Sequence, residues 1–272
     1  MSHRDGLVAL AALTAGCGSL LNYTDPDGPR YSGSYAVAPD RPAQPLRVVS
    51  FNIKFGDAVD AAIDELSSAE LAGADVILLQ EMDAAGVDRL ARALQLAYVY
   101  YPASVHKNGR DFGNAVLTRW SIQRDRKLLL PHQSPTNGQR RIAVETTIIT
   151  DHGTLRAYSV HLETPWLGLR GRLDQARTVR DLAAAEEGPV VIAGDFNTGD
   201  PGSLDQTRAL FEDAGFVWAT RGVGATSIGG PFESALDHVF TRGLALESAG
   251  KRATQASDHL PIWVQLHVPG DG

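Results

Sequence analysis

Polar side chains of a few types stand at the ends of apolar runs in this sequence. Val190-Val191-Ile192-Ala193-Gly194 reads as a buried strand and ends in Asp195-Phe196-Asn197. Ile77-Leu78-Leu79 ends in Gln80-Glu81, and Val48-Val49-Ser50-Phe51 ends in Asn52. Ser257-Asp258-His259 leads into Ile262-Trp263-Val264, and Leu236-Asp237-His238 opens another apolar stretch. Carboxylates and carboxamides are hard oxygen donors suited to Mg²⁺ or Mn²⁺. Beside an imidazole they are equipped for metal-assisted attack of water on a phosphate. Glu81 is the leading metal-ligand candidate, because a charge just past a buried run is not there for packing. Asp195 and Asn197 share a face if the chain stays extended. The carboxylate would then align or deprotonate water, and the amide would donate to a phosphoryl oxygen as charge builds. Asp237 pairs with His259 in this reading, fixing the ring's tautomer and stabilising its imidazolium. Taken alone, Asp195-Phe196-Asn197-Thr198-Gly199 would be an ordinary turn before a helix.

Together and in this order, the motifs from Arg47 to Val268 resemble those of the endonuclease/exonuclease/phosphatase superfamily. That resemblance implies metal-dependent hydrolysis of a phosphoester, with one or two Mg²⁺ or Mn²⁺ ions. It implies that Glu81 holds the ion and that Asp258 completes its shell. Asn52 would offer either an amide oxygen to the ion or a donor to phosphate. His161, after Leu155–Val160, would stabilise the phosphate or protonate the leaving oxygen. The water's proton goes to either Asp195 or His259. Asn114, in Gly113-Asn114-Ala115, falls in a segment such proteins use near the scissile phosphate. The implied fold is α/β (α+β), with two packed mixed β-sheets flanked by helices as a four-layer α/β/β/α sandwich.

The elements that must position these groups are legible in outline. Apolar patterning predicts strands at 47–53, 75–80, 113–118, 122–130, 142–150, 154–161, 189–194, 236–240 and 261–267. It predicts helices at 58–72, 84–96, 170–186 and 203–213. Strands and helices interleave, yet short turns such as Asp151-His152-Gly153 join neighbouring strands, which is a mixed-sheet pattern. His238 would face away from Asp237 along a strand and is left out of the site. His106, His132, His152 and His267 sit in no motif and read as surface residues. Arg140 and Arg141 either touch phosphate or form a solvated pair.

At 272 residues the chain is long enough for a sizeable core, and the spread of the motifs favours one catalytic domain over 47–272. The formal net charge of −7 disfavours a general duplex-DNA binder, which needs a basic face. Residues 1–17 have a short polar start, an apolar Leu7–Thr14 and small residues before Cys17, the layout of an export signal. Leu13-Thr14-Ala15-Gly16-Cys17 resembles a bacterial lipobox, with Cys17 as the lipidation site. Residues 18–46, rich in Pro and Gly, then read as a tether, on which Tyr23, Tyr31 and Tyr35 leave room for packing against the domain. The expectation is an exported, membrane-anchored monomer held by lipid on the periplasmic side. Its substrate would be a nucleic acid, a phospholipid headgroup such as sphingomyelin, or a small phosphoester. The loop Thr164-Pro165-Trp166-Leu167 either binds substrate or membrane, or packs onto the following helix. A catalytically silent phospholigand-binding module is the competing class, which the full polar set argues against.

Overall fold

The computed structural model describes residues 21–37, 45–228 and 233–269. Its strands are β1 (Tyr31–Ser34), β2 (Leu46–Asn52), β3 (Val76–Met82), β4 (Ala97–Val105), β5 (Asp111–Thr118), β6 (Ser121–Leu129) and β7 (Ile142–Thr150). They continue with β8 (Gly153–His161), β9 (Val190–Asp195), β10 (Val217–Trp218), β11 (Asp237–Arg242), β12 (Ala245–Lys251) and β13 (Ile262–His267). The helices are α1 (Val59–Leu66), α2 (Ala84–Ala93), α3 (Gly168–Ala184) and α4 (Pro201–Glu212). One sheet has seven strands in the order β1-β4-β5-β3-β2-β13-β12, and the other has six in the order β10-β11-β9-β8-β7-β6. Each is mixed: β2 and β3 run parallel, as do β8 and β9, while their other neighbours are antiparallel.

Alternation along each strand sorts the side chains into layers. Val48, Val76, Leu78 and Val116 meet Val144, Ile148, Ala157, Val191 and Val239 between the sheets. Val49, Phe51, Ile77 and Leu79 point the other way, against Ala62 and Leu66 of α1 and Val87 and Leu90 of α2. Tyr158, Val160, Ile192 and Phe240 meet Ala176 and Val179 of α3 and Phe211 of α4. Both faces of both sheets are therefore covered, so central strands read as continuous apolar runs. This is the two-sheet sandwich with flanking helices that the sequence motifs imply.

Toward one end of the sandwich the inter-sheet layer turns polar. The Gln80 amide donates to Ser159 Oγ (3.1 Å), and Ser159 Oγ donates to the carbonyl of Leu79 (2.9 Å). Asn114 donates to the carbonyls of Ser159 (3.1 Å) and Ile142 (3.3 Å). These bonds cross between the sheets and fix their relative height beneath the strand ends. Gly194, with φ of 152°, lets β9 lie against β8; a Cβ there would stand 1.8 Å from the Val160 carbonyl oxygen.

Several elements depart from the sequence expectation. β4, β10 and β12 have no counterpart in it, and the helix expected over 58–72 ends at Leu66. Within the stretch that reads as a tether, residues 21–37 lie on the domain. β1 pairs with the otherwise open edge of β4, Asn22 bridges Ser104, and Tyr23 and Tyr35 donate their hydroxyls to Asp111 (2.9 Å) and Asp88 (2.6 Å). A long edge strand gains from such a cover, since its row of backbone groups is left unpaired without one. The expected leader, residues 1–17, and Cys17 lie outside the described residues. Among the described residues, no helix is long and apolar enough to cross a membrane.

Candidate active site

Pairing register alone brings most of the polar residues together. In the six-stranded sheet Asp195 ends β9, opposite His161 at the end of β8 and opposite Asp237 at the start of β11. In the seven-stranded sheet Asn52 at the end of β2 lies opposite Gln80, one residue before Glu81. The loop carrying Asp258 and His259 is pinned over β2, because Ser257 Oγ donates to the Asn52 carbonyl (2.7 Å) and accepts from the His259 N–H (3.1 Å). Sites held by strand ends of a rigid sheet keep their geometry.

The backbone bends sharply around these positions. Among the described residues, six non-glycine residues have positive φ, and four of them, Lys54, Phe55, Glu81 and Asn197, belong to this region. Such conformations cost of order 1–3 kcal/mol each and persist where surroundings enforce them. Here the bends re-aim side chains. Glu81, with φ of 60°, faces the cleft, and its Oε2 accepts from the Phe55 N–H (3.2 Å). Asn197, with φ of 52°, turns its N–H to Asp195 Oδ1 (2.9 Å) and its amide to the Leu162 carbonyl (2.9 Å).

The cluster has Asp195 at its centre. Its Oδ2 accepts from Asn52 Nδ2 (3.1 Å) and lies 3.4 Å from His161 Nε2 and 3.8 Å from His259 Nε2. The other ring nitrogen of His259 is 2.9 Å from Asp237 Oδ2, which also accepts from Thr226 Oγ1 (2.6 Å). Asn52 Nδ2 reaches Glu81 Oε1 as well (3.2 Å), while its Oδ1 accepts from the Lys54 N–H (3.1 Å). Asn52 thus stands here as a donor between two carboxylates, its oxygen turned to the backbone. Asp258 is half exposed at the rim, 3.5 Å from Lys54 Nζ.

Burial dominates the electrostatics. It pushes the Asp195 carboxyl up to about 7, although the positive charge of His259 and the Asn197 N–H pull the other way. Burial raises Glu81 too, against the opposing charge of Arg141 and the Asn52 hydrogen bond. For His259, burial works against the charged ring, but the carboxylates of Asp237 and Asp195 outweigh it and hold the imidazolium up to about 10. His161 is driven well below its ordinary value by burial, then by the positive charges of Arg141 and His259. The two histidines are therefore set apart, one neutral and one charged. Glu81, His161 and Asp195 bring ligand atoms within 4.8 Å of one another, as do Asp195, Asp237 and His259. Asp237 Oδ1 is buried without a hydrogen-bond partner. Crowded, desolvated carboxylates, one of which keeps an unpartnered oxygen, fit a hard divalent cation, which would offset their mutual repulsion.

Other expected residues fall elsewhere. Asn114 is buried below the cleft, where its amide nitrogen joins the sheets. Arg141 is not part of a solvated pair: it is buried, its Nη1 lies 3.1 and 3.2 Å from the ring nitrogens of His161, and its Nε is 3.2 Å from Glu163. Arg140 is half-buried, and its N–H donates to Asn22 Oδ1 (2.9 Å). His238 faces the helical layer, 2.6 Å from Thr198 Oγ1 and packed near Phe196 and Trp218. His106 is more than a surface residue, since its ring stacks on Phe55 at 4.2 Å. Sequence reading missed Glu163, Thr226 and Lys54 as neighbours of the site. Glu163 had a local signal, because it lies two residues beyond His161 and alternation places it on the same side. Thr226 had none, since its partner Asp237 is met across a loop.

With this geometry in view, comparison with known proteins is decisive at the level of family. The sequence profile of the Endonuclease/Exonuclease/phosphatase family matches residues 49–259. The chain belongs to this family. A UPF0294 protein of Vibrio vulnificus (strain YJ016) is 35% identical over 107 residues, 37% of this chain and 36% of that protein. A UPF0294 protein of Yersinia pestis is 32% identical over 118 residues, 43% of this chain and 45% of that protein. The chain thus matches less than half the length of these relatives. Among solved structures, an endonuclease/exonuclease/phosphatase from Beutenbergia cavernae superposes with a TM-score of 0.67 at 20% identity, covering 83% of this chain and 72% of that one. A mannosyl-6-phosphatase of Bacteroides thetaiotaomicron gives 0.62 at 19% identity, covering 81% and 99%. TDP2 of D. rerio, complexed with single-strand DNA product, gives 0.61 at 18% identity, covering 82% and 98%. At these identities the superpositions speak for the endonuclease/exonuclease/phosphatase fold alone. Members of the family are phosphoester hydrolases, and they typically use divalent metals.

Proposed function

We propose that this protein is a divalent-cation-dependent phosphoester hydrolase, of phosphodiesterase or nuclease type, acting by in-line attack of water. The observation that carries the reading is Asp195 Oδ2 facing His161 and His259 at 3.4 and 3.8 Å while Asp237 holds the far side of the His259 ring at 2.9 Å. Asp195 aligns the water and accepts its proton as oxygen bonds to phosphorus. His259, held as imidazolium, faces the phosphoryl group and gives its proton to the ester oxygen when the old P–O bond breaks. Proton return from Asp195 to His259 then restores both groups. Asp237 keeps the ring in place and offsets its charge. His161 steadies the phosphoryl oxygens, and Asn197, whose N–H and amide both reach Asp195, holds that carboxylate in place. Glu81 and Asp258 are the carboxylates that would hold Mg²⁺ or Mn²⁺, with Asn52 beside Glu81 at 3.2 Å. A bound cation would supply Lewis-acid neutralisation of the phosphoryl charge.

The test is hydrolysis of bis(p-nitrophenyl) phosphate, oligonucleotides, plasmid DNA and sphingomyelin by the purified protein, with and without Mg²⁺ or Mn²⁺. Cation-dependent hydrolysis is expected. An undiminished rate in chelated, metal-free protein would overturn the mechanism.

We further propose that the chain is exported as a monomer and anchored by lipid on Cys17, given the apolar leader and the Ala15-Gly16-Cys17 sequence. Fractionation of the wild type against Cys17→Ser in a bacterial host tests this. Recovery of both in the cytosol with Met1 retained would defeat it.

A further inference from the structure

The first described residues determine where the N-terminal segment leaves the domain. Val105 donates its N–H to the Leu21 carbonyl (2.8 Å), and Tyr23 donates its N–H to the Ala103 carbonyl (2.9 Å). The Asn22 side chain donates to the Gly138 carbonyl (2.9 Å) and accepts from the Arg140 N–H (2.9 Å). Lys127 holds the carbonyls of Tyr23 and Gly28. From Leu21 onward this strap is fixed to the sheet.

Strand register says which end Leu21 occupies. β1 and Asn22 both pair antiparallel with β4, Ser34 opposite Ala97 and Asn22 opposite Ser104. The Ser104 end of β4 lies beside the start of β5, and Gly113 of β5 lies opposite Met82, the residue after Glu81. The strap therefore leaves the sandwich at the active-site end. Cys17 precedes Leu21 by only a few residues, a span of at most about 14 Å. On the same measure, a free tether running from Cys17 all the way to Arg47 would reach up to about 100 Å. The clamp thus turns a long leash into a short one attached beside the cleft.

Exposed apolar side chains agree with this direction. Among the described residues, Leu21 is 55% and Trp166 76% exposed, and both stand at the active-site end. Trp166 sits in the turn (Pro165–Leu167) that follows His161, beside exposed Arg170, while exposed Lys107 lies in the turn between β4 and β5. Other exposed large apolar residues, such as Ile149, Val217 and Leu246, lie toward the opposite end of their sheets. An exposed tryptophan with exposed cations, Arg170 and Lys107, on the same end of the domain suits the boundary between headgroups and acyl chains.

We propose that the clamped strap, with Leu21 and Trp166, seats the active-site end on a bilayer, so that the phosphoester hydrolysed is the headgroup linkage of a membrane lipid. This rests on the hydrolase reading and on lipid at Cys17.

The experiment uses the full lipidated chain in vesicles of phosphatidylethanolamine, phosphatidylglycerol and sphingomyelin. Three variants are compared with the wild type: Trp166→Ala, Trp166→Phe, and a Gly/Ser spacer inserted after Gly18. Brominated lipid should quench a component of tryptophan fluorescence that is missing in Trp166→Phe. Trp166→Ala and a spacer of about 30 residues should each lower headgroup release about tenfold, with hydrolysis of bis(p-nitrophenyl) phosphate unchanged. An absence of Trp166-specific quenching, or headgroup release indifferent to both variants, overturns the proposal. So does cleavage of oligonucleotides by a wild type that leaves every vesicle lipid intact. If the wild type cleaves no phosphodiester at all, the hydrolase reading has failed, and the quenching still reports on the seating.

Discussion

At the end of the sandwich away from the cleft, Leu46, Trp120, Leu155 and Val268 close the gap between the sheets. At the other end the same two sheets carry Asn52, Glu81, His161, Asp195 and Asp237. The first end is assembled by apolar burial and the second by desolvated charge held on bent backbone. The difference teaches where stability and chemistry are kept. The apolar layers stabilise the fold, and they hold in place carboxylates that repel one another and residues in left-handed conformations. The polar end should then be replaceable without unfolding, and the apolar layers should be replaceable without altering the chemical step.

The largest effect should come from Glu81→Ala. A loss of about a thousandfold or more in kcat is expected, with the melting temperature of the metal-free protein unchanged or raised. A large fall in melting temperature would show that the polar end does stabilise the fold. Asp237→Ala and His259→Ala should each lower kcat by about 10²–10⁴-fold. Because the two act as a unit, the double variant should be little worse than either single one. Multiplying effects would separate the pair. Phe240, fully buried between β11 and the helices, sharpens the contrast. Phe240→Ala should cost about 3–5 kcal/mol in denaturant unfolding, yet leave kcat per folded molecule nearly unchanged.

A smaller effect is expected from pH. Asp195, raised from 3.8 to about 7, and His259, raised from 6.5 to about 10, both bind protons more tightly in the folded chain. Folding is therefore favoured at low pH by both groups. The Asp195 contribution fades above pH 3.8 and is gone past about 7, and that of His259 fades above 6.5 and is gone past about 10. Melting of the chelated protein should fall between about pH 6 and pH 9, and Mg²⁺ or Mn²⁺ should restore it at the upper end. A melting temperature that rises over that range would reverse the assignment. The smallest effect lies at the surface, away from the core layers and the cleft. Gln95 is exposed with φ of 55° just after α2, and Gln95→Gly should gain about 1 kcal/mol in denaturant unfolding.

The legible parts of the chain are those where chemistry and periodicity coincide. Val190–Asn197 and Ile77–Glu81 each announce a buried strand and the group at its end, so the two-sheet layout and the polar motifs can be read together. β4 is hidden because Pro102 interrupts its apolar run, at the place where its register with β5 shifts. β12 has Ala245, Ser248, Ala249 and Gly250, which carry little periodic signal. Arg141 is ambiguous in sequence because its partners, His161 and Glu163, are reached only once β7 and β8 pair. The strap reads as a linker because its prolines and glycines mark irregular backbone, although its tyrosines point to packing.

The pairing of β1 with β4 has a consequence for where the domain can be cut. A chain begun at Arg47, the natural boundary by motif, would bare the outer row of N–H and C=O groups on β4, whose side chains are buried from Ala97 to Ser104. Such an edge is a template for strand addition by a second molecule. It would also release the loop bearing Arg140 from Asn22. A version begun at Leu21 keeps its own edge guard, and should stay dispersed where the shorter one precipitates.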